Sequence, residues 1–505
     1  MTMKHNSLAY RISWTFFFNL LRGGLVLLTT LVLARYLGPE TYGLMAFLVS
    51  IFLAMKTLVE FSTPHAFYTF ISQKRQSKYF FKLYILWLSF QLFVLIVLIT
   101  FVVPSSFWLS NLDGASHDIV VLALIAVFIQ HSAWQAASQM AEASRRSVDV
   151  QKLGIAINLV NLVLIISLYK LSLLNLKIIF MLMILEWGVG TLLAARMYVA
   201  VKEADDEPVL IVRKFWQYCK PLIPVSIIIT GAEALDRFML QIWGGSAEQG
   251  YYALATTIMV TTNLVLASIL KIFWKEISEA YQKKNLNFVL SIYERTSFLA
   301  YFISAVLVSA FLPWCEEILY IMGGSEYMHG KTTLALMLIF SAHQGLGQIN
   351  GMLLLATEKT KLHAVIIVLA AFIGLPISFL LIAPSNIFYI GSDMGAAGLA
   401  WKMLLINIFT VNVTNYYIAK KFFWKFRFMF QIYLFSFPIA AAFSAKFLIQ
   451  SFQLPGDASL IFSILIYFVF IIIFCLTFPK LLFGCSRLEL VEILRSHGQQ
   501  IFRLK

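Results

Sequence analysis

Long apolar segments recur along the whole chain and are separated by short polar connections. A helix of about 20 apolar residues crosses the roughly 30 Å hydrocarbon core of a bilayer. Because backbone groups in lipid must be satisfied within their own segment, the pattern predicts helices rather than strands. The predicted membrane spans, numbered 1 to 14 in chain order, are Ile12–Tyr36, Tyr42–Phe61, Leu83–Val103, Ile119–Ala141, Val150–Leu174, Ile178–Tyr198, Phe215–Trp243, Tyr251–Phe273, Thr296–Trp314, Thr333–Ala356, Leu362–Ala383, Ala396–Ile418, Phe430–Ile449 and Leu460–Phe478.

The composition supports a membrane protein. Of the 505 residues, 60% are hydrophobic and only 13% are charged. A soluble protein of this length needs a polar surface that such a composition cannot supply. Lipid is therefore expected to be the main solvent of this chain.

The net charge of +14 could indicate binding to nucleic acid. The Lys and Arg residues, however, alternate between successive connections, as the positive-inside rule describes. This pattern predicts that both termini are cytoplasmic and that nucleic acid is not a partner. The predicted outer side carries only a few basic residues, namely Arg35, Lys170, Lys177 and Lys331.

Three short motifs recur in the same order in the two halves of the chain, which indicates an internal repeat of six spans. An even number of spans gives both copies the same orientation, as in many transporters. The matched motifs are Gly38–Gly43 with Gly245–Gly250, Gln73–Arg75 with Gln282–Lys284, and Ala143–Arg146 with Ala356–Lys359.

The repeat predicts an N-terminal lobe at 1–204 (spans 1–6) and a C-terminal lobe at 205–425 (spans 7–12). Residues 426–505 would add spans 13 and 14 and a cytoplasmic tail. The acidic stretch Glu203–Glu207 is the predicted interlobe linker. The expected fold is therefore an all-α membrane protein of two six-helix lobes plus two C-terminal helices.

Arg22 is the ionisable residue that this pattern singles out. It lies near the predicted midplane of span 1, and Gly23 and Gly24 leave room beside its guanidinium. Charged residues at this depth usually face an interior cavity or pair with one another. Arg22 could bind an anionic group such as a phosphate through two hydrogen bonds, or it could pair with Glu186 or Glu233.

Other polar side chains fall within the predicted spans. Lys56–Glu60 and Glu233–Arg237 are spaced so that each pair could neutralise itself on one helix face. Spans 4, 10 and 12 carry polar stripes that could line a hydrated cavity and bind sugar hydroxyls, or could join helices to one another. The sequence offers no catalytic constellation, and its four cysteines lack metal or disulfide spacing. A transporter without a cofactor is therefore expected, rather than an enzyme.

Several motifs resemble those of the Wzx-type oligosaccharide flippases, which belong to the multidrug/oligosaccharidyl-lipid/polysaccharide exporter superfamily. Ala34–Gly43 resembles the signature between the first two helices of that family, and Leu235–Leu240 with Gly250–Ala255 resembles its signature at helices 7 and 8. Ile318–Gly323 and Gly395–Gly398 fit its later loops. The resemblance covers most of the chain.

The resemblance implies a multi-pass protein of the cell inner membrane that translocates undecaprenyl-pyrophosphate-linked oligosaccharides for polysaccharide or lipopolysaccharide biosynthesis. It implies two six-helix lobes around a central cavity, and we expect these to alternate access by rocking, with polysaccharide polymerase and chain-length machinery as candidate partners. Arg22 would bind the pyrophosphate, and polar side chains would contact the sugars. The expected substrate-binding residues are Arg22, His131, Gln135, Gln348, Lys402 and Asn407.

Three alternatives remain open at this point. A cation-coupled multidrug exporter and a lipid II flippase belong to the same superfamily, and a membrane scaffold or polymerase subunit would transport nothing. Coupling to H⁺ or Na⁺ is also open. The candidate residues for coupling or gating are Glu186, Glu233, Asp236, Arg237 and His343.

Overall fold

The computed structural model describes residues 8–73, 76–104, 112, 115–198, 208–385, 391–426, 428–452 and 456–477. These residues are helical apart from short connections. The α-helices are α1 (Leu8–Glu60), α2 (Thr63–Gln73), α3 (Lys78–Val97), α4 (His117–Phe128), α5 (Trp134–Ala143), α6 (Ser147–Lys170), α7 (Leu176–Ala195), α8 (Pro208–Cys219), α9 (Ile223–Gln282), α10 (Leu286–Phe311), α11 (Cys315–Gly323), α12 (Lys331–Ala356), α13 (Thr360–Ile382), α14 (Gly395–Phe422), α15 (Met429–Gln450) and α16 (Gly456–Thr477).

Helices α1 and α9 each contain two of the predicted spans. α1 kinks at Gly38 (φ 71°) and α9 kinks at Gly245 (φ 79°), which is left-handed backbone that favours glycine. α4 continues through the π-helical segment Ile129–Ala133 into α5 as one span. When α1 and α9 are each counted as two spans, and α4 and α5 as one, the long described helices coincide with the fourteen predicted spans. Ten described helical segments are long and apolar enough to cross a membrane by length and composition.

The start of one span differs from the prediction. Span 7 was expected to begin at Phe215, but Phe215 belongs to the separate helix α8, and α9 begins only at Ile223. Pro221 lies between the two helices and has no backbone N–H to donate, so the helical hydrogen bonding is interrupted there. The connection after span 9 is largely helical, because it contains α11 and a short 3₁₀ segment.

The backbone repeats in the two halves of the chain. The kinks at Gly38 and Gly245 occupy equivalent positions of the first repeated motif and have nearly equal dihedral angles. In the third motif, Arg145 and the equivalent Glu358 both have positive φ angles, 62° and 61°. Similar backbone at matched positions supports the internal repeat that the sequence predicts.

The two glycine motifs of the repeat contact each other within one compact unit of the fold. A Cβ atom at Gly43 would lie 1.7 Å from the carbonyl oxygen of Ser246, and one at Gly250 would lie 2.2 Å from that of Pro39. Both obstacles are backbone atoms, which cannot swing aside as a flexible side chain can. The first turns of spans 2 and 8 therefore approach closely because neither glycine has a side chain.

Replacing Gly43 with Ala is expected to destabilise the folded protein by about 1–3 kcal/mol, because the added methyl must push two helix backbones apart. Thermal unfolding of the purified protein in detergent measures this effect as a lower midpoint. Gly188→Ala is the matched control, since nothing lies within 4 Å of a Cβ there. Equal midpoints for Gly43→Ala and the wild type would show that the close approach does not matter.

The described chain forms two compact units that are not continuous in sequence. The predicted lobes at 1–204 and 205–425 follow the repeat and stay a prediction. The acidic stretch Glu203–Glu207 and the tail from residue 478 lie outside the described residues. The first unit comprises Met1–Thr261, Leu319–Leu334 and Ile367–Met403; the second comprises Thr262–Ile318, Ala335–Ile366 and Leu404–Lys505.

Each unit has its own aromatic core. In the first, Phe47, Phe52 and Phe67 are fully buried, and the ring of Phe67 stacks on Tyr84 with centroids 3.9 Å apart. In the second, α15 and α16 pack against each other and α15 packs against α10. The buried hydroxyl of Tyr467 donates to the carbonyl of Val306 at 2.8 Å, which ties α16 to α10. The last two predicted spans are therefore integral to the second unit.

Candidate functional site

Arg22 lies in the first half of α1, in the first unit, with its side chain half-buried. Among the described residues it has no hydrogen-bond or ion-pair partner. Neither Glu186 nor Glu233, the acids considered as alternatives from the sequence, pairs with it. No atom lies within 4 Å of where a Cβ of Gly24 would be, so the space beside the helix is open.

Lys56 and Glu60 form the ion pair that their spacing predicts. The Lys56 Nζ lies 2.8 Å from Glu60 Oε1, and both residues are buried. The same carboxylate oxygen accepts a hydrogen bond from the hydroxyl of Ser132 at 3.0 Å. The charge of Glu60 is therefore already neutralised by Lys56.

His131 lies in the π-helical segment Ile129–Ala133, and it falls within electrostatic range of both Arg22 and Lys56. Single π-helical turns inside α-helices occur frequently at functional sites. Gln135 follows one helical turn later and is half-buried, and its side chain has no hydrogen-bond partner in the described part of the chain. The group Arg22, Lys56, Glu60, His131 and Ser132 is named the Arg22 cluster.

The Arg22 cluster contains two permanent cations but only one acid. Since Glu60 is paired with Lys56, the positive charge of Arg22 is left without a protein counter-ion in the described residues. A guanidinium offers a planar fork of donors that matches carboxylate or phosphate oxygens. In a site of low dielectric such a charge attracts an anion more strongly than it does in water. The cluster is therefore suited to bind a phosphate or pyrophosphate.

A second charged group in the first unit is centred on Asp236. Its Oδ2 lies 2.5 Å from Lys402 Nζ, and its Oδ1 accepts a hydrogen bond from Ser378 at 2.5 Å. Asp236 and Lys402 are 5% and 7% exposed, so this ion pair is shielded from solvent. Lys402, expected from the sequence to bind substrate, is paired with an acid of its own unit in this structure.

Arg237 does not form the predicted pair with Glu233. Its Nη1 donates instead to Gln249 Oε1 at 3.1 Å, and its guanidinium lies 4.4 Å from the centroid of the Tyr252 ring. Gln249 in turn donates to the backbone carbonyl of Arg237 at 2.7 Å. Glu233 is exposed and lies within electrostatic range of Asp236 and Lys402. The group Glu233, Asp236, Arg237, Ser378 and Lys402 is named the Asp236 cluster.

Glu186 and His343 each have a local partner. Asn161 donates to Glu186 Oε2 at 2.7 Å, which joins α7 to α6 within the first unit. The hydroxyl of Tyr301 lies 3.3 Å from His343 Nδ1 in the second unit. The roles of both residues in coupling or gating stay predictions.

The polar stripes of spans 10 and 12 lie in the second unit. The side chain of Asn407 donates to the carbonyl of Phe340 at 3.2 Å, which joins α14 to α12. The Tyr293 hydroxyl lies within hydrogen-bond distance of both Asn350 and Asn415. Part of each stripe therefore joins helices, whereas Gln348 is half-buried and its amide has no partner among the described side chains.

Some residues of these clusters carried no signal in the sequence. Ser378, and Gln249 beside the Asp236 cluster, are ordinary polar residues within helices, and each meets its charged partner only through tertiary contact. The π-helical turn at His131 leaves no recognisable pattern either. Of the two i,i+4 pairs that the local sequence indicated, Lys56–Glu60 forms and Glu233–Arg237 does not.

A family model described as "Polysaccharide biosynthesis protein" matches residues 8–274. No curated protein matches the chain. A solved structure titled "Lipid II flippase MurJ, inward closed conformation" is 15% identical, covers 92% of this chain and 98% of its own, and has a TM-score of 0.67.

Two solved multidrug transporters are also similar in fold. An inward-facing MATE family transporter of the MOP superfamily is 12% identical over 81% of this chain and 94% of its own, with a TM-score of 0.53. A mutant of the Vibrio cholerae MATE transporter VcmN is 12% identical over 83% and 99%, with a TM-score of 0.52. These structures confirm the all-α membrane fold that the sequence predicts, and the family model agrees with the resemblance to proteins of polysaccharide export.

Proposed function

Because the chain belongs to the family of polysaccharide biosynthesis proteins, we propose that it is a flippase for lipid-linked oligosaccharides. Its substrate would be an undecaprenyl-pyrophosphate-linked repeat unit, moved from the cytoplasmic to the outer leaflet of the inner membrane. The multi-pass helical fold, shared with flippases and exporters, supports this proposal.

The guanidinium of Arg22, which has no partner among the described residues, is the observation that carries the proposal. It is half-buried in a membrane-spanning helix, and Glu60, the acid of its cluster, forms an ion pair with Lys56. A charge held in a membrane without a counter-ion is costly, which favours a role in binding an anion. The pyrophosphate of a lipid-linked glycan supplies that anion, and Arg22 would hold it through two parallel hydrogen bonds.

The sugars would meet uncharged polar side chains. Gln135 in the first unit and Gln348 in the second are half-buried. Their side-chain amides have no hydrogen-bond partner among the described residues. Amides donate and accept hydrogen bonds, so they can bind hydroxyl groups without requiring a charged glycan. His131 and Asn407 belong to the same proposal. Alternating access, driven by H⁺ or Na⁺ or by the substrate gradient alone, would complete the transport cycle.

Loss of the protein from its native cell is expected to leave an undecaprenyl-linked repeat unit on the cytoplasmic side of the membrane. Extraction of lipid-linked glycans followed by mass spectrometry measures this accumulation, and accessibility to an added glycosidase reports the leaflet. Restoring the wild-type chain is the control and should clear the intermediate. Accumulated lipid II would instead assign the protein to cell-wall precursor export, and unchanged lipids with higher sensitivity to organic cations would favour a drug exporter.

A further inference from the structure

A cavity of about 740 Å³ lies in the first unit, bounded by α3 and α8 and by the residues that follow Glu60. This volume is near the upper end of the roughly 300–1,000 Å³ that ligand pockets have. Half of its sixteen lining residues are aromatic, and most of the others are aliphatic. Its walls are therefore suited to a long hydrocarbon and not to a polar ligand.

One wall of this cavity is a single face of α3. The residues Leu83, Leu86, Phe90 and Phe93 are spaced three or four apart, which places them in a row along the helix. Leu86, Phe90 and Phe93 are 66%, 54% and 63% exposed. From Leu83 to Phe93 the row is about 15 Å long, at the rise of an α-helix. The cavity is therefore a groove that runs along the membrane-spanning helix.

The opposite wall comes from the separate helix α8. Val212 and Trp216 are 61% and 58% exposed, and Ile211 and Phe215 extend the same apolar surface. α8 also carries Arg213 and Lys214, so it combines basic and apolar residues in a short helix. Helices of this kind lie in the interface of a bilayer with their apolar side towards the acyl chains. The groove is therefore expected to open at the membrane surface and to extend towards the interior.

The groove and the Arg22 cluster share a wall. Trp87 lines the groove and donates from its indole nitrogen to Thr63 Oγ1 at 3.0 Å. Thr63 in turn donates to the backbone carbonyl of Glu60 at 2.8 Å. Phe61, which lines the groove, directly follows Glu60 in the chain. The groove therefore meets the Arg22 cluster at Glu60, so an apolar groove and a site that carries cations lie side by side, as an amphiphile with an anionic head would require.

We propose that this groove holds the part of the isoprenoid chain nearest the head group of the lipid-linked substrate while the Arg22 cluster holds its diphosphate. The inference rests on the proposed function and adds the path of the lipid tail. Aromatic rings present flat, polarisable surfaces that make many dispersion contacts with the methyl branches and double bonds of an isoprenoid.

Filling the groove with Ser89→Trp tests the proposal. Ser89 lines the groove on the same face of α3 as Leu86 and Phe93, so an indole at this position occupies the space for the chain. The matched control is Ser167→Trp, because Ser167 is an exposed serine on α6 outside the groove. The full-length protein, purified in detergent, is titrated with undecaprenyl diphosphate, and bound lipid is counted by native mass spectrometry.

Ser89→Trp is expected to weaken retention of undecaprenyl diphosphate at least tenfold, whereas Ser167→Trp should retain it as the wild type does. Equal retention by Ser89→Trp and the wild type would overturn the inference that the groove binds the lipid chain. The flippase proposal would stay in place. A wild type that binds no undecaprenyl diphosphate would overturn both. Displacement of the isoprenoid by an equal amount of dioleoylphosphatidylglycerol would assign the groove to ordinary membrane lipid and overturn the inference.

Discussion

Replacing Arg22 with Ala is expected to lower glycan export by about 10- to 100-fold while the protein still folds. The Arg22 guanidinium has no protein partner among the described residues, so its removal breaks no internal ion pair. A hydrogen bond to a charged group contributes about 1.5–3 kcal/mol, and each 1.4 kcal/mol is a factor of ten in binding. Surface polysaccharide in a deletion strain that expresses the variant measures the loss.

Arg22→Lys is the informative companion variant. It keeps the charge but offers no planar fork of donors, so partial export is expected from it. Membrane levels and thermal unfolding of both variants must match those of the wild type for the comparison to hold. Full export by an expressed Arg22→Ala protein would remove this residue from the site, and with it the main support for binding of a pyrophosphate.

The membrane spans could be predicted from the sequence because hydropathy is a local property. A bilayer imposes nearly the same length on every span, so the apolar runs coincide with the long helices. Where the prediction of span 7 began too early, the cause was also local. The apolar residues of α8 continue the hydropathy of α9 across Pro221, and hydropathy alone does not register the break at a proline.

The contacts between distant residues could not be predicted in the same way. The sequence showed both glycine motifs, but not that Gly43 and Gly250 lie against the backbone of the opposite motif. Lys402 and Asp236 are far apart in the chain, and no periodicity relates them. From the sequence alone Lys402 was therefore assigned to the substrate, whereas the structure pairs it with Asp236.

The Asp236 cluster also constrains any coupling to cations. Both oxygens of Asp236 are occupied, one by Lys402 and the other by Ser378. A proton or Na⁺ could bind this carboxylate only after the ion pair opens, so coupling through Asp236 would require movement of α14 or α9. Glu233 is exposed and has no such partner in the described contacts, which makes it the more accessible acid in this conformation.

Replacing Lys402 with Met is expected to destabilise the protein by about 3–5 kcal/mol. Met is similar in length to Lys and fills the same space, but it leaves the buried carboxylate of Asp236 without a counter-ion. The midpoint of thermal unfolding in detergent should fall accordingly. If Lys402→Met unfolded at the wild-type temperature, the pair would contribute nothing to stability.

The double variant Lys402→Met with Asp236→Asn separates the charge from the packing. Asn has nearly the shape of Asp and can still accept the hydrogen bond from Ser378, but it carries no charge. Because replacing both partners removes the unpaired buried charge, the double variant is expected to recover most of the stability lost by the single one. A double variant as unstable as Lys402→Met would show that the lost stability does not come from the unpaired buried charge, since no charge would be left to compensate. Recovery of stability without recovery of export would instead show that the ion pair itself takes part in transport.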